Sequence, residues 1–166
     1  MHFFINLDLV RALLIAILLY LAYVDLRTFR LPDAITIPLS AAGLVLNYLF
    51  NIGLTDFSNA VLGAIFGYAF LWSLNAAYHR LKKQNAIGMG DAKLLAALGA
   101  WFGLSALPSI LLMASITGLI GGLVWLRLKE QSFHAAFPFG PFLAIAGIIE
   151  LLWPQLLPTL VLNNPI

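Results

Sequence analysis

Residues 3–25 read FFINLDLVRALLIAILLYLAYVD, an apolar run from Phe3 to Val24 closed by the acid Asp25. About 20 predominantly apolar residues suffice for a helix to cross the hydrocarbon core of a bilayer. A carboxylate at the edge of that core is costly, and acids kept there usually mark function. Further along, Gly88-Met89-Gly90-Asp91 places a second acid, Asp91, at the opening of another apolar stretch. The two acids are therefore the first candidates for chemistry.

Composition makes the bilayer the solvent for the whole chain. Of its 166 residues, 62% are hydrophobic and only 10% are charged, and the mean hydropathy is +0.97. A soluble domain is roughly half apolar and roughly a quarter charged. A polytopic, all-α membrane protein is expected, with residues 1–166 forming a single integral-membrane domain and no separate soluble one. The absence of cysteine removes disulfides, thiolate zinc sites and a cysteine nucleophile together. His2, His79 and His134 lie far apart, so no metal-ligand spacing exists. No metal, other cofactor or nucleic-acid partner is expected.

Apolar runs between charged or turn-rich breaks predict six membrane-crossing helices with short loops, at Phe3–Val24, Ile35–Phe50, Ala60–Tyr78, Ala92–Leu107, Ile110–Leu126 and Phe137–Trp153. The first is not read as a removable signal peptide, since no small-residue cleavage site follows it and further spans do. Arg27, Arg30, Arg80, Lys82, Lys83, Lys93, Arg127 and Lys129 fall in or beside the first, third and fifth connections, leaving only Arg11 elsewhere. The positive-inside rule makes those connections cytoplasmic and puts both termini on the other side. Asp25 and Asp91 then share the cytoplasmic boundary, on the first and fourth helices.

Two carboxyl groups that share a proton titrate in separated steps, which leaves one acid and one base. The base can activate a water while the acid protonates a peptide carbonyl, the aspartic-protease route that needs neither metal nor covalent nucleophile. Gly88 and Gly90 lack side-chain bulk and permit close backbone approach. Asp91 then begins a helix, where its charge meets the positive end of the dipole. The structural readings are an interfacial Asp25 neutralised by Arg27 or Arg30 and an Asp91 that only caps a helix. Asp33, after Pro32, suits a helix cap, and Lys93 suits either tuning of the site or snorkelling. Arg80, Lys82 and Lys83 suit topology and contact with anionic membrane lipid. Glu150, beside Trp153, is expected to be exposed at the outer interface. Gly63-x-x-x-Gly67, Gly99-x-x-x-Gly103 and Gly118-x-x-x-Gly122 serve either close packing within one bundle or a homodimer.

Three segments carry a resemblance to a known family. Gly88-Met89-Gly90-Asp91-Ala92-Lys93-Leu94 resembles the GxGD segment of type IV prepilin peptidases, membrane aspartic proteases that trim leader peptides from pilins and pseudopilins. Asp25-Leu26-Arg27-Thr28-Phe29-Arg30-Leu31-Pro32-Asp33 is similar to the family's first catalytic segment, an Asp followed by a hydrophobic residue, Pro and Asp or Asn. Pro138-Phe139-Gly140-Pro141-Phe142 resembles its late proline-glycine segment. The resemblance implies that Asp25 and Asp91 are the catalytic pair and that Gly88, Gly90, Lys93 and Asp33 support the site. It also implies a prepilin or pseudopilin precursor as substrate and a bacterial inner-membrane location with the site facing the cytoplasm. Larger members carry an amino-terminal methyltransferase region with cysteine-ligated zinc, so this chain is expected to compare with compact, peptidase-only members. The alternatives are another GxGD intramembrane protease, a small proton-coupled transporter using the acidic pair as a relay, and a nonenzymatic scaffold of a pilus machine.

Overall fold

The computed structural model describes residues 7–49, 54–82, 88–129 and 138–154. These form six α-helices, α1 (Leu7–Thr28), α2 (Asp33–Leu49), α3 (Phe57–Lys82), α4 (Met89–Phe102), α5 (Leu107–Lys129) and α6 (Gly140–Leu152), with one 3₁₀ turn at Leu104–Ala106. No strand occurs among the described residues. Among the described residues three segments, Leu7–Thr28, Phe57–Leu81 and Leu104–Val124, are long and apolar enough to cross a membrane. Their outward faces carry large apolar side chains such as Leu19 and Tyr20, Ile65 and Phe66, and Leu119 and Ile120, all exposed. In a bilayer such faces meet lipid tails at no cost.

Helix α4 is the centre of the bundle. Ala92, Leu94, Leu95 and every residue from Ala97 to Phe102 are buried, so it is apolar on nearly all sides, as a helix enclosed by others must be. Close backbone contact gathers its neighbours. Gly63 of α3 lies directly against Gly99 of α4, and a Cβ on Gly67 would meet the Leu95 carbonyl oxygen at 2.7 Å. Asn47 of α2 donates to the Ala100 carbonyl at 3.0 Å, and the Trp101 indole N–H donates to the Leu39 carbonyl at 2.8 Å. The first two Gly-x-x-x-Gly pairs are thus used inside the chain. Gly118 and Gly121 of α5 face the Phe139 and Phe142 rings.

These contacts fix direction. Asp33 lies beside Lys93 and Asn47 beside Ala100, so α2 and α4 run the same way. Gly63 opposes Gly99 and Gly67 opposes Leu95, so α3 runs against α4. Asp25 lies at Gly140 and Leu18 near Gly147, so α1 opposes α6, while Ser109 bonds Glu150, so α5 opposes α6 as well. The carboxyl ends of α1, α3 and α5 and the amino ends of α2, α4 and α6 therefore gather at one end of the bundle.

Helix boundaries differ from the sequence expectation where polar residues continue a helix. Helix α1 does not end at Val24 but runs to Thr28, which puts Asp25 inside its last turn. Helix α3 extends beyond both Ala60 and Tyr78. Helix α4 stops at Phe102 rather than Leu107, because Gly103 adopts φ 83, a left-handed conformation that breaks the helix. Helix α5 accordingly begins at Leu107 rather than Ile110. Pro141 sits in the first turn of α6, where its missing N–H has no helical partner to lose, so it starts the helix and does not kink it. The expected helix ends Phe3, Phe50 and Phe137, and the residues His2, Lys83 and His134, lie outside the described residues.

Candidate active site

Asp25 and Asp91 are the two buried acids at the end of the bundle where the cations Arg27, Arg80, Lys93 and Arg127 also lie. Asp25 is 5% exposed and Asp91 8%. Their carboxyl groups lie within range of direct electrostatic interaction, although they come from helices far apart in sequence. Opposite helix ends present them. Asp25 stands in the last turn of α1, toward the negative end of its dipole, and Asp91 in the first turn of α4, toward the positive end.

Local structure explains each position. Helix α1 closes with Phe29 at φ 54, and the Phe29 N–H donates to the Asp25 carbonyl at 2.8 Å. This is the left-handed cap that normally falls to glycine, and a side chain there costs about 1–2 kcal/mol. The Thr28 hydroxyl reaches both the Val24 carbonyl, at 2.9 Å, and the Arg30 carbonyl, at 3.0 Å. Residues 29–32 then form a strap that brings Leu31 inward, to 7% exposure. Helix α4 starts from Gly88, whose extended backbone (φ −65, ψ 133) turns the chain into the helix that carries Asp91. A Cβ on Gly88 would sit 3.4 Å from Asp91 Oδ2, in ordinary contact. On Gly90 it would lie 2.9 Å from the Leu31 Cβ, so this glycine admits the strap.

Asp33 does not precede α2 but is its first residue, and the Pro32 carbonyl accepts the Thr36 N–H at the helix start. Both Asp33 carboxylate oxygens lie 2.6 Å from Lys93 Nζ. Lys93 is therefore paired, not merely extended toward the interface. The pair ties the start of α2 to α4 two residues beyond Asp91.

A contact that residue spacing does not reveal comes from α6. The Gly140 backbone N–H donates to the Asp25 carboxylate. A Cβ there would stand 2.7 Å from Asp25 Oδ2, so only glycine lets the amide approach. The proline-glycine segment carried the signal without its mechanism. Asn75 of α3, 8% exposed, reaches Met89 Sδ at 3.9 Å, at the start of α4. Among the described residues no cluster of three or more His, Cys, Asp and Glu side chains could hold a metal ion.

Glu150 is a correction. It is 4% exposed rather than interfacial, and the Ser109 hydroxyl donates to its Oε2 at 3.1 Å. It lies at the opposite end of the bundle. The fully buried Leu18, Leu95, Leu98 and Leu143 fill the core between it and the two aspartates.

The family model of the type IV leader peptidase family matches residues 12–123, which include both aspartates. A prepilin leader peptidase/N-methyltransferase of Aeromonas salmonicida (strain A449) is 46% identical over 141 residues, covering 85% of this chain and 48% of that protein. The protein of the same description from Dickeya chrysanthemi is 46% identical over 133 residues, 79% of this chain and 46% of its own. That from Pseudomonas aeruginosa is 41% identical over 136 residues, 82% and 46%. The chain spans about half the length of the curated relatives it matches. No solved structure matches it. With the family match extending over most of the chain and enclosing both buried acids, the chain belongs to the type IV leader peptidase family.

Proposed function

We propose that this chain is a membrane aspartic endopeptidase that removes the leader peptide from type IV prepilin or pseudopilin precursors, with Asp25 and Asp91 as its catalytic pair. The observation that carries the reading is that these two buried carboxyls lie at the same end of an apolar bundle, within range of electrostatic interaction. One carboxylate takes a proton from a water as that water attacks the scissile carbonyl carbon. The other, protonated, gives its proton to the carbonyl oxygen. Collapse of the tetrahedral species then expels the amine, which takes up a proton from the dyad. Gly140 fixes the Asp25 carboxylate through its N–H.

In the same reading all six helices cross the bacterial inner membrane, both termini lie outside the cytoplasm, and residues 1–166 act as one peptidase domain. The gathering of Arg27, Arg80, Lys93 and Arg127 at the end that holds the aspartates supports a cytoplasmic site. A precursor cut there keeps its basic leader inside while its apolar helix stays in the bilayer. Helix α4, about 21 Å long, is shorter than the hydrocarbon core but is enclosed by protein. A proton relay across the membrane is disfavoured, because the buried leucines between the aspartates and Glu150 offer no polar path.

The test is cleavage of a purified pilin-like precursor by the purified chain in detergent or lipid. A specific cut at the leader junction is expected. A chain that is folded but leaves the precursor whole contradicts the proposal.

A further inference from the structure

Leu31 turns inward from the 29–32 strap, while Phe29 and Arg30 on the same strap are exposed. Its side chain rests on the glycines associated with the two carboxyls. A Cβ at Gly90, the residue before Asp91, would lie 2.9 Å from the Leu31 Cβ and 3.5 Å from its Cδ1. At Gly140, whose N–H holds Asp25, a Cβ would lie 3.2 Å from the same Cδ1. One methyl group of Leu31 thus occupies the space that a side chain at either Gly90, at the start of α4, or Gly140, at the start of α6, would need.

The strap is tied at both ends. Upstream, the Phe29 N–H and the Thr28 hydroxyl bind it to the last turn of α1. Downstream, Asp33 is paired with Lys93 on α4. Lys93 is 29% exposed and Asp33 58%, so water screens the attraction and the pair adds little to stability. What it supplies is a fixed register between the strap and the helix that carries Asp91.

We propose that Leu31 is a positioning residue, a wedge seated between Gly90 and Gly140 that sets the separation of the Asp25 and Asp91 carboxyls, with the Asp33–Lys93 pair holding it in place. The inference rests on the reading of the two aspartates as the catalytic pair. A dyad must bracket one water and one carbonyl, and active groups need placing to within about 0.5 Å. Close-packed interiors transmit a lost methyl group as movement of the surrounding elements. Removing the wedge therefore changes the dyad, whereas removing a mere core filler would change only stability.

The experiment uses the whole chain in lipid with a pilin-like precursor. It compares Leu31→Ala, Leu31→Met, Lys93→Met, the single charge reversals Asp33→Lys and Lys93→Asp, and the double exchange that combines them. Leu31→Ala is expected to lower kcat per folded molecule by about tenfold to a hundredfold, with KM within about twofold of the original. Leu31→Met, which keeps the volume, retains most of the rate. Lys93→Met lowers kcat less, and the double exchange restores part of what either single charge reversal loses. A Leu31→Ala protein that melts earlier but turns over normally, or changes KM alone, overturns the proposal.

If Leu31→Ala does not fold, Lys93→Met and the two single charge reversals decide, with an unchanged kcat in all three overturning it. An infrared titration of the protonated carboxyl bands is run in parallel. It requires no cleavage, so it separates failure of the wedge from failure of the protease reading. A changed spacing between the two carboxyl titrations in Leu31→Ala or Lys93→Met supports the wedge. Curves identical to those of the original chain overturn it.

Discussion

The backbone N–H of Gly140 donates a hydrogen bond to the carboxylate of Asp25, joining the start of α6 to the last turn of α1. A methyl group on Gly140 would stand 2.7 Å from Asp25 Oδ2 and 3.0 Å from Cγ, closer than carbon can approach. Gly140→Ala must push that carboxyl away from the amide. The expected result is loss of precursor cleavage by about a hundredfold, with the helical content of the bundle unchanged by circular dichroism. Cleavage at the original rate would show that the contact does not orient Asp25.

Two other glycines separate packing from chemistry. Gly99 lies against the Gly63 backbone, which has no flexible side chain to move aside. Gly99→Ala is expected to force α3 from α4 and to cost about 1–3 kcal/mol, read as a lowered unfolding midpoint. Gly88→Ala has room, with Asp91 Oδ2 3.4 Å from the new carbon, and an extended backbone that alanine adopts. Its cost at the helix start is expected to be no more than about 1 kcal/mol. Equal destabilisation by the two substitutions would contradict this packing.

Glu150 belongs to the frame. Glu150→Ala removes the acceptor of the buried Ser109 hydroxyl and opens a gap near the carboxyl end of α6. A loss of about 1–3 kcal/mol is expected. Glu150→Gln, which keeps the acceptor oxygen, should recover most of it. Neither variant should alter kcat per folded molecule, because the leucine core separates this residue from the dyad. Thermal unfolding and cleavage, measured on the same preparations, check both parts.

What could be read from the chain alone was set by how far each property depends on neighbours in space. Asp25 and Asp91 stood out because a charge in apolar sequence is conspicuous whatever the fold. The six helices were visible as apolar runs, yet their ends were not. Arg27 and Thr28 continue α1, and His79 and Arg80 continue α3, although none of them belongs to an apolar pattern. The end of α4 turns on the backbone of one residue, Gly103. Glu150 was misplaced because its burial depends on Ser109, a residue of another helix. Leu31 looked like any apolar residue of a turn, and only contact with Gly90 and Gly140 distinguishes it. Gly140 was legible as part of a family-like segment, but its hydrogen bond to Asp25 was not.

A pair that works with one proton between its members is active only between its two titrations. The rate of cleavage should therefore rise and then fall with pH when chemistry limits turnover, both limbs belonging to the pair rather than to either aspartate. Single-turnover rates across the pH range in which the bundle stays folded would show this. A rate independent of pH over that whole range would contradict shared-proton catalysis.

The most direct measurement is precursor cleavage by the original chain, Asp25→Asn and Asp91→Asn, each confirmed as folded and assayed at equal concentration. An amide matches the size of the carboxylate but can neither take the proton of the attacking water nor donate one as an acid does. Each single substitution is expected to abolish leader removal, and the double variant to be no worse than either alone. Undiminished cleavage by either single variant would contradict the two-aspartate account.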